Sequence, residues 1–376
     1  MAYVIGELGR GGAEYQLHEL LRCVDRRLIE PSVVALAAGG WWAEPIRRLG
    51  VPLVELPRRH SGDVARLVRL RRALAAIRPH VLHTILWSAN VYGRLAAMGL
   101  GIPCVVAAER NVIDRATWQV RLERALDRIT DAYLVNCRAI AEQLVARQRI
   151  ARTKIEVIPN GIDLARLPPF ALDRRAARAA LGFDPDRRLV AQVGRLTAQK
   201  DYPTFLEAAA GIAASAPDID FLLVGEGEER ARLEALVTRR GLSTRVRFTG
   251  LRDDVPALLG AVDVMALTSL YEGFPNVVVE AMAAGAVVVA TDDGGTRELV
   301  TPEETGLLVP AREPAAVATA VSRVFADAAL ARRLATAARR RVENELTVGA
   351  MASRTIATYQ RLLGAGSVTL APVAAA

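Results

Sequence analysis

The sequence predicts an α/β protein with two doubly wound domains that face each other across a cleft. Its 376 residues exceed what one hydrophobic core usually supports, so two domains are expected. Short apolar or β-branched runs alternate with longer helical patterns from end to end, which is typical of βαβ units and parallel sheets. Apolar residues make up 52% of the chain, which is enough for packed cores and excludes a disordered protein.

The first predicted domain covers residues 1–163. An amphipathic helical segment at 64–78 separates two of its apolar runs, and similar segments lie between the others. This alternation predicts one doubly wound sheet. The candidate strands are residues 3–7, 32–37, 52–56, 80–86, 104–108 and 132–136.

The second predicted domain covers residues 164–349 and begins after a turn-rich stretch at 158–163. Its entry segment contains Pro168, Pro169 and Pro185, and such prolines are common at domain boundaries. Residues 350–376 are predicted to form a last helix at 350–363 and an apolar tail. The candidate strands are residues 189–193, 221–224, 246–248, 262–267, 287–290 and 306–309.

Several classes of protein are disfavoured by composition. No apolar run reaches the roughly 20 residues of a membrane-spanning helix, and the first residues lack a secretory leader, so a cytoplasmic protein is expected. The cysteines are far apart without CxxC spacing, and the histidines form no ligand motif, so neither a bound metal nor any other cofactor is expected. These residues are Cys23, Cys104, Cys137, His18, His60, His80 and His83.

The chain is basic, with a net charge of +8 and a pI of about 9.9. Lysine occurs only at Lys154 and Lys200, so almost all cations are arginine. The arginines are spread along helices, and aromatic residues are only 5%, which indicates a solvated basic face rather than a nucleic-acid site. A second hypothesis is peripheral contact with an anionic membrane at its inner face. Examples of these helix arginines are Arg66, Arg69, Arg71 and Arg72.

The loops after the predicted strands contain the candidate site residues, because doubly wound sheets bind ligands at the carboxyl ends of their strands. After the first strand come Gly11 and Gly12, where a phosphate or sugar could approach the backbone, followed by Glu14. A simple tight turn is the alternative. The first loop of the second domain places Arg195 and Lys200 together, and this pair could neutralise a diphosphate without a metal ion. A solvated pair is the alternative there.

Two glutamates mark the most specific segment, at residues 271–282. Pro275 suits a first helical turn, so a helix is predicted to start near Asn276 with its free N–H groups toward a diphosphate. Glu280 lies about one turn further and could accept hydrogen bonds from a ribose, whereas Glu272 in the preceding loop could reach sugar hydroxyls. An internal arginine partner is the alternative for Glu280. Gly225, after another strand, permits close approach of a ligand.

These segments together resemble the retaining family 4 (group 1) glycosyltransferases of GT-B fold, which have two Rossmann-like domains. The resemblance covers nearly the whole chain. The motifs are GRGGAE, VIPNGID, VGRLTAQKD, LLVGEGEE, EGFPNVVVEAM, DGGTRELV and GLLVP.

The resemblance implies metal-independent transfer, with retention of configuration, of a hexose or N-acetylhexosamine from a nucleotide-diphosphate sugar, with UDP favoured over GDP as the nucleotide. It implies Arg195 and Lys200 on the diphosphate, Glu280 on the ribose and Glu272 on the sugar, so that Glu272, Arg195 and Lys200 are the catalytic candidates. The last helix would cross back to the N-terminal domain. The donor-binding candidates are Gly11, Gly12, Arg195, Lys200, Gly225, Glu272, Gly273, Phe274, Pro275, Asn276, Val277 and Glu280.

The acceptor is implied to be a glycan, a glycolipid or a small molecule, held mainly by the N-terminal domain. Its candidate contacts are Glu14, His83, Arg110 and Asn111. The sequence departs from the family pattern at one place. Many members carry a histidine after the fifth strand, where this chain has Arg110, so the role of that histidine either passes to Arg110 or is absent. His83 could equally be a core residue.

Other classes fit the sequence less well. A metal-dependent glycosyltransferase would need an Asp-x-Asp after an apolar strand, but the matches at 184–186 and 218–220 lie in a linker loop and before a strand. A dinucleotide-dependent oxidoreductase would need a third glycine in register after Gly9 and Gly11. A non-catalytic protein that binds sugar nucleotides would share the pocket and remains an alternative.

Overall fold

The computed structural model describes residues 1–60, 63–111, 116–167 and 173–364. The chain divides into two compact units, one made of residues 1–161 and 348–376 and the other of residues 162–347. The sequence placed these boundaries two residues later, at 163/164 and 349/350.

The described part of the first unit has one fully parallel sheet, in the order β3-β2-β1-β4-β5-β6-β7. The order changes direction between β1 and β4, which makes the sheet doubly wound. The strands are β1 (Ala2–Ile5), β2 (Ser32–Ala35), β3 (Leu53–Glu55), β4 (Val81–Ile85), β5 (Cys104–Glu109), β6 (Ala132–Val135) and β7 (Ile155–Val157).

Helices cover this sheet, and their apolar faces form its core. Leu70 and Leu74 of the third helix are fully buried against the sheet at a spacing of four residues, which is the period of an amphipathic helix. The helices are α1 (Gly12–Cys23), α2 (Ala43–Arg48), α3 (Ala65–Ile77), α4 (Trp87–Ala97), α5 (Thr117–Leu126) and α6 (Arg138–Gln143), with short helical turns at Asp127–Ile129, Leu144–Gln148 and Arg152–Lys154.

The described part of the second unit has a parallel sheet in the order β10-β9-β8-β11-β12-β13, which reverses between β8 and β11. The strands are β8 (Arg188–Val193), β9 (Ile219–Val224), β10 (Val246–Gly250), β11 (Val264–Leu267), β12 (Val287–Thr291) and β13 (Leu307–Val309). The helices are α7 (Arg174–Ala180), α8 (Tyr202–Ser215), α9 (Arg230–Arg239), α10 (Val255–Ala261), α11 (Asn276–Ala284), α12 (Gly294–Leu299), α13 (Pro314–Ala326) and α14 (Ala328–Glu345), with short turns at Leu164–Arg166 and Ala198–Lys200.

The chain then returns to the first unit as α15 (Val348–Leu362). Met351, Ala352, Ile356 and Tyr359 lie on one side of this helix and are buried with residues of β1, β4 and α1 in the first unit's core. The C-terminal helix is therefore part of the N-terminal unit's hydrophobic core.

The doubly wound α/β prediction is confirmed, and each predicted strand lies within two residues of an observed one. The sequence did not predict β7, an edge strand of three residues in which only Ile155 is buried. The proline pair of the predicted linker, Pro168 and Pro169, falls outside the described residues.

Candidate functional site

In the second unit, the loops at the reversal of strand order are joined to each other. The loop after β8 covers residues 194–201, and the loop after β11 covers residues 268–275. The amide N–H of Leu270 donates to the carbonyl of Gln199, and the side chain of Gln199 donates to the carbonyl of Tyr271. In a doubly wound sheet this is the place where ligands bind, because the flanking loops turn away on opposite faces.

A buried ion pair connects these two loops. Lys200 Nζ lies 2.5 Å from Glu272 Oε1, and the side chains are 16% and 9% exposed. The sequence predicted both as site residues but did not predict the ion pair between them. Arg195 lies on the same loop as Lys200 and is exposed. The structure thus brings one acid and one base together at the reversal of the sheet, with a second base on the same loop.

Buried polar residues hold the Lys200 loop in place. Gln192, at the end of β8, donates from Nε2 to the carbonyl of Lys200 and accepts from the hydroxyl of Thr268. Both side chains are at most 1% exposed. Sequence reasoning missed them, although a glutamine within the apolar run Leu-Val-Ala-Gln-Val was the signal.

Two glycines let the neighbouring loops approach closely. A Cβ at Gly225 would lie 2.0 Å from the carbonyl oxygen of Gly194, and its φ of +136° is unfavourable for other residues. The hydroxyl of Tyr202 donates to the same Gly194 carbonyl at 2.8 Å. Gly225 therefore has a packing function at the strand ends, whatever it contributes to ligand binding.

Helix α11 begins as the sequence indicated. Asn276 is its first residue, and Pro275 is the extended residue immediately before it, rather than a member of the first turn. Glu280 is half-buried, not fully buried as expected from its apolar neighbours in sequence. Burial of its carboxyl group raises its pKa to about 7, and the positive charge of Arg166 opposes this shift. Internal neutralisation by arginine, the alternative from sequence, is therefore present in part.

The loop after β12 packs against Glu272. A Cβ at Gly295 would lie 2.5 Å from the carbonyl oxygen of Glu272, so only glycine fits there. Burial raises the pKa of Asp293, and the carboxylate of Glu272 adds to that effect. Within the described residues, the hydroxyl of Ser269 is a buried polar atom without a hydrogen-bond partner, whereas the side chain of Thr296 bonds to that of Asp293. Such atoms are uncommon in folded proteins and often mark a ligand site.

The other predicted residues of this segment surround the start of α11. Phe274 and Pro275 are buried, whereas Gly273, Asn276 and Val277 are partly exposed.

In the first unit, the corresponding strand ends enclose a pocket of about 450 Å³. It lies beside the reversal of order between β1 and β4, and the loops after β1, β2, β3 and β4 all contribute to it. Sequence reasoning found Glu14 but not the others. The lining residues are Gly6, Glu7, Glu14, Leu36, Ala37, Ala38, Pro57, Arg58, Arg66, Leu86 and Ser88.

The predicted glycine loop leads into α1, whose Glu14 lines this pocket. Gly11 caps the N-terminus of α1, and Gly12 is the first helical residue. The carboxylate of Glu14 folds back to Gly11, where a Cβ would lie 2.2 Å from Glu14 Oε2. Glu14 is 6% exposed, and burial raises its pKa, with a further contribution from Glu7.

The prediction that His83 lies at a strand end is wrong. It is the third of five residues in β4, is 1% exposed, and shares a 2.6 Å hydrogen bond between Nδ1 and the hydroxyl of Tyr359. Burial lowers the pKa of His83 to about 3, so the ring is neutral. His83 is a core residue, and it does not reach a substrate directly.

Arg110 follows β5 and turns toward Asn160, to which its Nη1 donates at 2.5 Å. Burial lowers its pKa to about 10, whereas Tyr359 and Glu14 favour its charge. Asn111 is exposed beside Arg110. Of the predicted acceptor contacts, the structure brings Arg110 and Glu14 near each other and leaves His83 in the core.

Two family models match the chain in succession. The one described as Glycosyltransferase Family 4 matches residues 10–166, and the one described as Glycosyl transferases group 1 matches residues 173–341. The D-inositol 3-phosphate glycosyltransferase of Salinispora tropica is 32% identical over 323 residues, which are 78% of this chain and 67% of that protein.

The chain belongs to the group 1 glycosyltransferases.

Two further likenesses support this membership and the fold. The 2-deoxystreptamine glucosyltransferase of Streptomyces kanamyceticus is 32% identical to this glycosyltransferase over 266 residues, 70% of this chain and 65% of that protein. The solved structure of Anabaena Alr3699/HepE in complex with UDP-glucose has a TM-score of 0.85 at 23% identity and covers 96% of this chain and 99% of that one. The fold is GT-B, with two Rossmann-like domains.

The remaining sequence-based predictions for the glycosyltransferase concern its cysteines, metal ligands, membrane-spanning helices and second lysine. Cys104 and Cys137 are buried, and Cys23 is partly exposed. Among the described residues, no group of three or more His, Cys, Asp or Glu side chains is placed to hold a metal ion. No single described helix has the length and apolarity to cross a membrane, although the bent pair α13 and α14 passes that test when joined. Lys154, the other lysine, binds the carbonyl and carboxylate of Asp127.

Proposed function

We propose that this glycosyltransferase transfers a hexose or N-acetylhexosamine from a UDP-sugar to a hydroxylated acceptor, with retention of configuration and without a metal ion. The second unit would bind the donor, and the pocket of the first unit would bind the acceptor. The ligands and substrates named for its relatives support UDP as the nucleotide and a cyclitol-like small molecule as the acceptor, since they include UDP-glucose, inositol 3-phosphate and 2-deoxystreptamine.

The observation that carries the donor half is the Lys200–Glu272 pair. In the absence of donor, each side chain neutralises the other at 2.5 Å. A bound UDP-sugar would offer Lys200 the oxygens of its diphosphate and Glu272 the hydroxyls of its sugar, so both would keep a partner of suitable charge or polarity. The pair thus places one side chain for the diphosphate and the other for the sugar of the same donor.

The proposed chemistry needs positive charge at the leaving group. When the bond between the anomeric carbon and the diphosphate oxygen breaks, negative charge grows on the diphosphate. Lys200 is fixed by the Gln192 and Thr268 network, and Arg195 is on the same loop, so two cations are available without a metal ion. Preorganised charge of this kind is a major source of rate enhancement.

The acceptor half rests on the shape and polarity of the first unit's pocket. A volume of about 450 Å³ is in the range of small-molecule sites, and acids, arginines and a serine line it. A hydroxyl-rich molecule of monosaccharide or cyclitol size would find acceptors and donors on several sides.

The test is UDP release with UDP-glucose and an acceptor panel of sugars, cyclitols and their phosphate esters. We expect Lys200→Gln and Glu272→Gln to lower kcat by about 100-fold or more, because each removes a charged group at the reacting centre. Lys154→Gln is the matched control, since it removes the other lysine. Unchanged kcat in both site variants would disprove the role of the pair.

Three further readouts test the remaining parts of the proposal. NMR of the product reports the anomeric configuration, and an inverted product would contradict retention. Activity that EDTA abolishes and Mg²⁺ restores would contradict the metal-free reaction. A non-catalytic binder would show equal losses of nucleotide affinity and of turnover in Glu272→Ala, whereas an enzyme loses far more turnover.

We also propose that the protein is cytoplasmic and contacts anionic membranes through α3. Val64, just before this helix, is 75% exposed, Val68 is 48% exposed, and Arg72 is exposed on the same helix. Apolar side chains beside cations suit an anionic bilayer surface. We expect co-sedimentation with phosphatidylglycerol vesicles that Val64→Glu with Val68→Glu weakens and Leu251→Glu, an exposed control in the second unit, does not. Equal binding to neutral vesicles would contradict this contact.

A further inference from the structure

The first unit's pocket has acids on one side and arginines on the other. Glu7 follows β1 and Glu14 belongs to α1, whereas Arg58 follows β3 and Arg66 belongs to α3. In the sheet, β2 separates β1 from β3, so the two sides are two strand spacings apart, about 10 Å. A ligand that fills this pocket meets opposite charges at its two ends.

Arg66 is buried without a carboxylate partner. Its side chain is 5% exposed, Nη1 donates to the carbonyl of Leu36 at 3.2 Å, and Nε has no hydrogen-bond partner. The nearby carboxylate of Asp63 is already occupied by the side chain of Arg69 at 2.8 Å and by two backbone amides. In the described part of the chain, no ion pair joins Arg66 to an acid.

A second buried arginine in the same unit has a carboxylate partner and further hydrogen bonds within the protein. Arg94 is fully buried, and both oxygens of Glu123 accept from its Nη2 at 2.7 Å. Thr130 and Tyr133 complete its contacts. Among the described residues, the guanidinium of Arg66 contacts the carbonyl of Leu36 and the ring face of Tyr92, 4.3 Å away. Since burying an uncompensated charge is costly, the contrast indicates that an external anion completes the Arg66 site.

We propose that the acceptor of this glycosyltransferase carries a phosphoryl group, which Arg66 and Arg58 bind, while Glu7 and Glu14 accept hydrogen bonds from its hydroxyls. Two cations match the charge of a phosphate monoester, and the planar guanidinium matches its oxygens. The phosphoryl group belongs either to a free sugar or cyclitol phosphate or to a lipid phosphate. This inference rests on the acceptor half of the proposed function.

The experiment measures binding of matched probes to the full chain by calorimetry. The soluble probes are glucose 6-phosphate, glucose and glucosamine, and the lipid probes are farnesyl phosphate and farnesol in detergent micelles. We expect the phosphorylated member of at least one set to bind at least tenfold more tightly than its neutral partner, and the set that responds identifies the source. Arg66→Gln and Arg58→Gln should each remove about tenfold or more of that preference.

Three controls keep a folding defect separate from the loss of an anion site. Arg66→Lys keeps the charge and should recover part of the preference. Arg121→Gln removes an exposed arginine from α5 of the same unit and should have no effect. UDP binding should be unchanged in all of these variants, because Lys200 and Glu272, the proposed donor contacts, belong to the other unit.

Two results would overturn the inference. One is a wild-type protein that binds phosphorylated and neutral probes equally, or glucosamine best, while UDP still binds, and this leaves the donor half of the proposed function intact. The other is a phosphate preference that Arg66→Gln and Arg58→Gln both retain. Failure of UDP binding in the wild type would instead contradict the proposed function itself.

Discussion

The hydroxyl of Tyr359 lies 2.6 Å from Nδ1 of His83, although the two residues are 276 positions apart in the chain. Tyr359 comes from α15 and His83 from the middle of β4, and their rings meet edge to face at 5.9 Å. This contact joins the last described helix to the centre of the first sheet. Because both side chains are at most 3% exposed, the bond is shielded from water.

The first prediction concerns the pH dependence of the first unit's stability. Burial lowers the pKa of His83 from 6.5 to about 3, and Arg110 contributes in the same direction. The unfolded chain therefore takes up a proton between these pH values that the folded chain does not. The contribution of His83 to the free energy of unfolding is fully present above pH 6.5. Below that pH the free energy of unfolding falls by about 1.4 kcal/mol per pH unit.

Tryptophan fluorescence reports this transition selectively, because Trp41, Trp42, Trp87 and Trp118 all lie in the first unit. We expect the wild type to lose about 2 kcal/mol more stability than His83→Gln between pH 7 and pH 5. Equal losses in the two proteins would mean that His83 is protonated when folded.

The second prediction concerns the buried pair of Arg94 and Glu123. Removing one partner leaves the other charged and buried, so Arg94→Met should cost about 3–5 kcal/mol of unfolding free energy. The double variant Arg94→Met with Glu123→Leu should recover much of that loss. Arg47→Met, which breaks the half-exposed pair with Glu55, is the control and should change stability far less. Fluorescence-detected unfolding in urea provides the comparison, and a loss as small as that of the control would contradict the argument.

The third prediction uses two glycines of the second unit. Gly225→Ala should cost about 1–3 kcal/mol or abolish UDP binding, since the added Cβ meets the Gly194 carbonyl at a positive φ. Gly211→Ala, within α8, meets nothing closer than 3.9 Å and should be neutral or stabilising by up to about 1 kcal/mol. Circular dichroism and calorimetry measure both. If the two variants behave alike, close packing at Gly225 is not a constraint.

The fourth prediction concerns Glu280, whose pKa is raised to about 7 by burial. If the ionised carboxylate binds the ribose of the donor, kcat/KM for the donor should rise between pH 6 and pH 8. Glu280→Gln should flatten this rise, whereas Glu234→Gln, an exposed change on α9, should not. The same shift means that the second unit becomes less stable as pH rises from 4.5 to 7. A wild-type rate without pH dependence in this range would argue against a donor contact.

The fold could be predicted from sequence because most strands are largely apolar runs between helical patterns. The run Leu-Val-Ala-Gln-Val of β8 and the run Val-Met-Ala-Leu of β11 are visible without any tertiary information. Strand β7 was missed because an edge strand of three residues needs little burial. The observed start of α11 followed from Pro275, whose ring fixes the backbone just before the helix.

The sites could be predicted only in part, because their decisive contacts join distant segments. Lys200 and Glu272 are 72 residues apart, and sequence gave each a separate role without indicating their ion pair. Arg66 was assigned to a solvated basic face, which is wrong because it is 5% exposed. In a helix that contains several arginines, the one that faces inward is determined by the neighbouring strands and loops. For His83 the sequence left a substrate contact and a core position open, and the structure places it in the core.

The return of α15 to the first unit has a consequence for the order of folding during synthesis. The second unit is a continuous segment, so all of its core residues are present once residue 347 has been added. The first unit is begun earlier but lacks Met351, Ile356 and Tyr359 until the whole second unit has been synthesised. The half of the protein that is made first is therefore the half that completes its core last, and its apolar surface remains uncovered throughout synthesis of the other half.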